Sequence, residues 1–161
     1  MTNPRLRSLL LVIFSIWWGW TVLTDFFVVP SVFRIVPDFF VAGELGMTLF
    51  NKLNLLELIL ATMLLSLGAI SPRSKILLAI SLLLVTIVTT YYFYLTPKIQ
   101  TLTEWWKEAE GLGITSIHGI NDIQQEHQTY HRLYVWIDAV KLLLLTSGLS
   151  FLIFKHDPRN A

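Results

Sequence analysis

HQTYHRLYVWIDAVKLLLLTSGLSFLIF, residues 127–154, is the stretch that decides the fold. It is longer than the ~20 residues that cross a hydrocarbon core as a helix. Within it His127, His131, Tyr134, Asp138 and Lys141 fall at i, i+4, i+7, i+11 and i+14. At 100° per residue these five occupy roughly an 80° arc of one helix face. The remaining positions are mostly Leu, Ile, Val, Trp and Phe. Ionisable groups along one face of a membrane helix are costly in lipid, so the face must look at other helices or at water.

The rest of the chain has the same character. Of 161 residues, 54% are hydrophobic and only 14% are charged, well below the ~25% charged of a soluble domain. Four apolar runs are long enough to span a bilayer, at about residues 6–29, 46–70, 76–95 and 127–154. The expected fold is all-α, a four-helix transmembrane bundle forming a single integral membrane domain over residues 1–161. The first run follows Arg5 and Arg7, as a signal sequence would. Its length, its Trp17, Trp18 and Trp20, and the lack of a small-residue cleavage site make it an uncleaved span.

Several chemistries are excluded. The net charge is +1, which argues against a nucleic-acid surface. There is no cysteine, so disulfide, thiol-redox and thiolate-metal chemistry are absent. Glu126 precedes His127 rather than following it, so no zincin motif is present, and there is no phosphate loop or serine elbow. His127 and His131 share one face while His118 and His156 lie on opposite sides of the membrane, which disfavours haem.

Flanking charges set the topology. Arg5, Arg7, Arg73, Lys75, Lys155 and Arg159 share one side if all four spans cross. The opposite loops hold Arg34, Lys98 and Lys107 among many acids. The positive-inside rule then puts both termini in the cytoplasm. A short turn at Ser71-Pro72-Arg73-Ser74 makes spans two and three a hairpin. The first outer link runs from Pro30 to about Leu45, and span two begins as early as Asp38. In the second, from Pro97 to Glu126, Ile99, Leu102, Trp105, Trp106 and Ala109 recur at helical spacing, predicting an amphipathic interfacial helix. Gly111, Gly113 and Gly119 loosen the chain beyond that helix.

Depth along each span, at 1.5 Å per residue, gathers the polar residues in the outer half. They are Thr21, Thr24 and Asp25 in span one, Asn51, Asn54 and Glu57 in span two, Thr86, Thr90 and Tyr94 in span three, and His127 and His131 at the entry to span four, with Tyr134 on the same face and Asp138 and Lys141 at or past mid-depth. Lys52 and Arg132 snorkel to the headgroups. The inner halves are almost wholly apolar. The expectation is an outward-facing polar cavity above an apolar floor. In it Lys141 stands between Asp138 and Glu57, which offsets the cost of burying each charge. His127 and His131 at i, i+4, with Asp25 and Glu57, are a candidate divalent-metal set, or a proton relay, since His titrates near neutral pH. Asn51, Asn54, Tyr94 and Tyr134 are supporting groups. The competing reading of the same residues is an ion-pair network that holds the bundle together, with Tyr91, Tyr92 and Tyr94 as an interfacial aromatic belt.

The stretch Asp25-Phe-Phe-Val-Val-Pro30-Ser-Val-Phe33, then Ala42-Gly43-Glu44 and Leu49-Phe50, resembles the bacterial members of the transmembrane protein 205-like family. So do Tyr94-Leu-Thr-Pro97-Lys98 and His127-x-x-x-His131. The resemblance implies a small four-span integral membrane protein whose bacterial representatives are of unknown function, and the expected location is the bacterial inner membrane. It supplies no catalytic residue. The chain departs from the eukaryotic pattern in its long charged second link and in the Asp138/Lys141 pair.

Three functions fit this reading. The first is an intramembrane site for a cation, a proton or a small polar solute, with transport as one use. The second is a membrane scaffold or interaction subunit, in which a homo-oligomer or a partner subunit covers the polar face. The third is a membrane-embedded enzyme acting on a lipid or quinone, with His127 or His131 as base and Asp138 as orienter. Beyond the lipid bilayer, partner identity stays open, as does a cofactor other than a divalent metal.

Overall fold

The computed structural model describes residues 4–70, 75–112 and 117–154. Among these residues six α-helices follow one another: α1 (Pro4–Leu23), α2 (Val29–Ile35), α3 (Phe39–Ile70), α4 (Lys75–Thr90), α5 (Thr96–Gly111) and α6 (Ile117–Phe154). Among the described residues there is no strand. α1 joins α2, and α4 joins α5, through one-turn π segments at Thr24–Val28 and Tyr91–Leu95. Four apolar helices result, Pro4–Ile35, Phe39–Ala69, Lys75–Gly111 and Gly119–Phe154, each long enough to cross a membrane. Val12, Ile16, Ile59, Leu83 and Leu143 are exposed on their outer faces, a belt that calls for lipid rather than water.

The π turns have a common cause. Pro30 and Pro97 each open the α-helix that follows a π turn, and each lies two residues past the turn's last residue. A proline lacks the backbone N–H and clashes with the carbonyl four residues back. That carbonyl belongs to Phe26 or Phe93, inside the π turn, where the wider i→i+5 winding makes room. The first outer link is therefore shorter than expected. The chain stays helical through Pro30 to Ile35 and breaks only at Val36, extended at φ −87° and ψ 112° before Pro37, as a residue preceding proline must be. Asp38 then caps α3, its Oδ1 accepting from the backbone N–H groups of Phe40 at 2.8 Å and Val41 at 3.1 Å.

The second link also differs from its expectation. The amphipathic helix forms, but it continues span three without a break. Its apolar residues Ile99, Leu102 and Ala109 are buried by packing on α6 and α3, while Trp105 stays exposed. Its face is thus covered by protein, leaving less of it for the membrane interface. Lys98 pairs with Glu126 at 2.9 Å and Lys107 pairs with Glu44, tying this extension to α6 and α3. The turn at 71–74, Gly113 and the charges Arg73, Lys155 and Arg159 lie outside the described residues.

The apolar core fills the end of the bundle where α1 begins and α6 ends. Leu10, Phe14 and Trp17 of α1 meet Ala61 and Leu64 of α3, Leu84 of α4 and Leu145 of α6. Gly148 marks a close approach of the Phe14 side chain of α1 to α6. A Cβ there would stand 2.5 Å from the Phe14 ring.

Candidate functional site

Above that core, near the middle of the four long helices, sits a buried polar cluster. Glu57, on α3, is 4% exposed, and Lys141, on α6, is 3% exposed. Lys141 Nζ donates to Glu57 Oε1 at 2.8 Å and lies 2.5 Å from Asp138 Oδ1. Glu57 Oε1 also accepts from Trp17 Nε1 at 3.0 Å and from Thr21 Oγ1 at 3.2 Å. One carboxylate oxygen on the second span thus gathers donors from the first and fourth. The ammonium stands 5.4 Å from the centre of the Tyr91 ring, a cation–π distance.

Both π turns deliver a group to this cluster. The first carries Asp25, which lines the same small cavity as Glu57, Asp138 and Lys141. The second carries Tyr91, fully buried, whose hydroxyl donates to Asp138 Oδ1 at 3.4 Å and to the Tyr134 carbonyl at 3.3 Å. π turns interrupt the regular ladder and recur at functional sites. Tyr91 stacks on Tyr134 with centroids 4.2 Å apart. The Tyr134 hydroxyl donates to Asn54 Oδ1 at 3.2 Å, and Asn54 Nδ2 donates to Thr96 Oγ1 at 2.7 Å. This chain of contacts links the second, third and fourth spans just above the charges.

Charge and hydrogen bonding in the cluster are unbalanced. Three carboxyls, Asp25, Glu57 and Asp138, face one ammonium. Asp25 Oδ2 and Glu57 Oε2 are shielded from solvent and have no hydrogen-bond partner among the described residues. Both residues line a single cavity of about 10 Å³, shared with Thr24, Asn54, Tyr134, Asp138 and Lys141. Such a volume holds about one water molecule. The open polar chamber expected from residue depth is therefore a packed cluster with one small void. Large side chains, Trp17, Tyr91 and Tyr134, fill the space that depth alone left empty.

The expected metal set does not assemble. Among the described residues, no three of His, Cys, Asp and Glu converge in a way that could hold a metal ion. Asp25 and Glu57 belong to the buried cluster. His127 and His131 lie nearer the extended end, with parallel rings 6.3 Å apart, and His127 meets the Trp106 ring edge-on at 5.8 Å. The two histidines therefore pack along their own helix, two to three turns from Asp138.

Other supporting groups also fall elsewhere. Asn51 is exposed while Asn54 is buried. Thr86 and Thr90 donate to carbonyls of their own helix, and Tyr94 is exposed, its hydroxyl 3.3 Å from that of Tyr130. Tyr91, expected in the aromatic belt, is core. Trp17, which the sequence shows only as one of three tryptophans in an apolar run, is core as well. One signal would have found Tyr91. The buried residues Leu77, Ser81, Leu84, Val88, Tyr91 and Leu95 repeat at alternating steps of four and three, the seam of a helix packed on helices.

No curated protein and no solved structure matches the chain. From residue 12 to residue 105 it matches the family described as a domain of unknown function, DUF4149, and it belongs to that family.

Proposed function

We propose that this membrane protein binds and releases protons at the Asp25–Glu57–Asp138–Lys141 cluster, and that this site serves ion-coupled transport. The observation that carries the reading is the pair of unpartnered, shielded oxygens, Asp25 Oδ2 and Glu57 Oε2, on one water-sized cavity. Three carboxyls beside one ammonium leave negative charge that a void of about 10 Å³ cannot neutralise with a hydrated ion. Protons need no such room. Asp25 and Asp138 line the same small cavity, and two carboxyls so placed bond to each other only if one of them carries a proton. The proton is shared by the group rather than owned by one residue. A solute, lipid or quinone headgroup is too large for this cavity.

In this reading the positive-inside charges put both termini in the cytoplasm of a bacterial inner membrane, with the extended α5–α6 end outside. Transport by so small a chain calls for an oligomer or a partner subunit. Kinship with the transmembrane protein 205-like proteins, suggested by the Asp25-to-Phe33 and Tyr94-to-Lys98 stretches, fits the same architecture and assigns no residue a role.

Infrared difference spectroscopy of reconstituted protein across a pH step tests the proposal. A protonated-carboxyl band that shifts in D₂O and is lost in Asp25→Asn or Glu57→Gln is expected. Spectra identical in wild type and both variants would overturn it. The second reading, a scaffold, draws on the same ion pairs, because Glu57 ties three spans together. Under it Glu57→Gln lowers stability and leaves the spectrum unchanged.

A further inference from the structure

We infer that the cluster exchanges protons with the extended end of the bundle only, along the seam between the first and fourth spans, with Val135 and His131 lining the route. This rests on the proton reading and adds the side of access to it.

On one side of the cluster the seam is closed. Trp18 Nε1 donates to Thr146 Oγ1 at 3.0 Å, Arg7 Nε donates to the Leu152 carbonyl at 3.0 Å, and Phe14 seats against Gly148. Leu10, Leu64, Leu84 and Leu145, each at most 2% exposed, pack the interior there. The buried hydroxyl at that level, on Ser81, is engaged by the Leu77 carbonyl at 2.8 Å. No relay group continues from Lys141 in that direction among the described residues.

On the other side the seam opens. No Cα of the first π turn or of α2 lies within 8 Å of a Cα of α6, and α2 leans on α3 instead. The helix face of α6 registers the change. Gln128, Val135, Leu142 and Leu149 are seven residues apart and keep nearly one angular position, drifting about 20° per step. Leu142 and Leu149 are half-buried, whereas Val135 and Gln128 are exposed. His131, on the Asp138 side of that face, is exposed as well. Asp25, carried by the first π turn, lines the same small cavity as Asp138 of α6. The ionisable groups sharing its cavity are Glu57 from α3 and Tyr134, Asp138 and Lys141 from α6, with Tyr91 of the second π turn reaching Asp138. Asp25 thus belongs to the π turn that parts from α6, whereas Glu57 accepts from Trp17 of the apolar floor.

The chain has no cysteine, so single cysteines report accessibility directly. Val135→Cys, His131→Cys, Leu142→Cys and Leu149→Cys would be reconstituted in vesicles. Each would be exposed to a charged, membrane-impermeant methanethiosulfonate from one face at a time, with labelling after unfolding as the control for thiol reactivity. The first two should label from the extended end alone, and the last two should stay unlabelled from both faces. A bulky label on Val135→Cys should also slow hydrogen–deuterium exchange of the Asp25-dependent infrared band. Labelling of Val135→Cys by a lipid-soluble maleimide but not by the charged reagent would overturn the route, since lipid would then fill the seam. Equal labelling from both faces, or of all four positions, would overturn its sidedness. Loss of the route with the Asp25 band intact leaves the proton site standing. An accessible seam with no such band sinks the proton site instead.

Discussion

Lys141→Met removes the cluster's cation while keeping a long apolar stem in its place. Two contacts end on the lost ammonium, at 2.8 Å to Glu57 and 2.5 Å to Asp138. With an effective dielectric of about 20, a unit-charge pair at such a distance attracts by about 6 kcal/mol. Withdrawing each ion from water costs several kcal/mol, so most of that attraction is offset and the intact cluster stands near balance. The variant has no such balance. Glu57 keeps the Trp17 and Thr21 donors, but Asp138 keeps the long Tyr91 contact at 3.4 Å. Stripping one partner from a buried pair costs about 3–5 kcal/mol. The unfolding free energy in detergent micelles, followed by tryptophan fluorescence, should fall by about that amount. Adding Glu57→Gln and Asp138→Asn should recover most of the loss, because the neutral set has no uncompensated charge. A Lys141→Met protein within about 1 kcal/mol of wild type would refute the reasoning, since its ion pairs would then be no stronger than exposed ones.

Gly148→Ala should lower stability by about 1–3 kcal/mol through overpacking against Phe14, less the helix-propensity gain of about 1 kcal/mol. Gly19→Ala, where nothing stands within 4 Å of the new Cβ, should be neutral or stabilising; equal thermal shifts for the two would contradict the packing. Trp17→Phe removes a donor to a carboxylate and should cost about 1.5–3 kcal/mol. Tyr134→Phe removes a neutral hydroxyl bond and should cost about 1 kcal/mol or less; the reverse order in the same unfolding assay would show that Glu57 does not depend on Trp17. Zinc titration by calorimetry should give the same weak response in wild type and in His127→Ala/His131→Ala. A tight site abolished by that variant would mean that the histidines find a further ligand.

The fold rests on features legible in the sequence, whereas the family matched is DUF4149 and not the transmembrane protein 205-like family that the motifs suggest. Four apolar runs, their spacing and an all-α architecture follow from length and composition, because a bilayer admits few other solutions. Glu57, Asp138 and Lys141 are also legible, since charge in an apolar run is costly wherever the helix points. What the tertiary structure decided was helix phase and continuity. A membrane helix is apolar towards lipid and towards its neighbours alike, so composition does not reveal which face turns inward. That is why Tyr91 and Trp17 escape a reading of the sequence, while Thr86, Thr90 and Asn51 are expected inside. Continuity is hidden for a different reason. Pro30 and Pro97 read as helix starts, yet each is accommodated by a π turn that carries the helix through. Those two turns bring Asp25 and Tyr91 to the cluster, and side-chain packing around them reduces an expected chamber to a void the size of one water molecule.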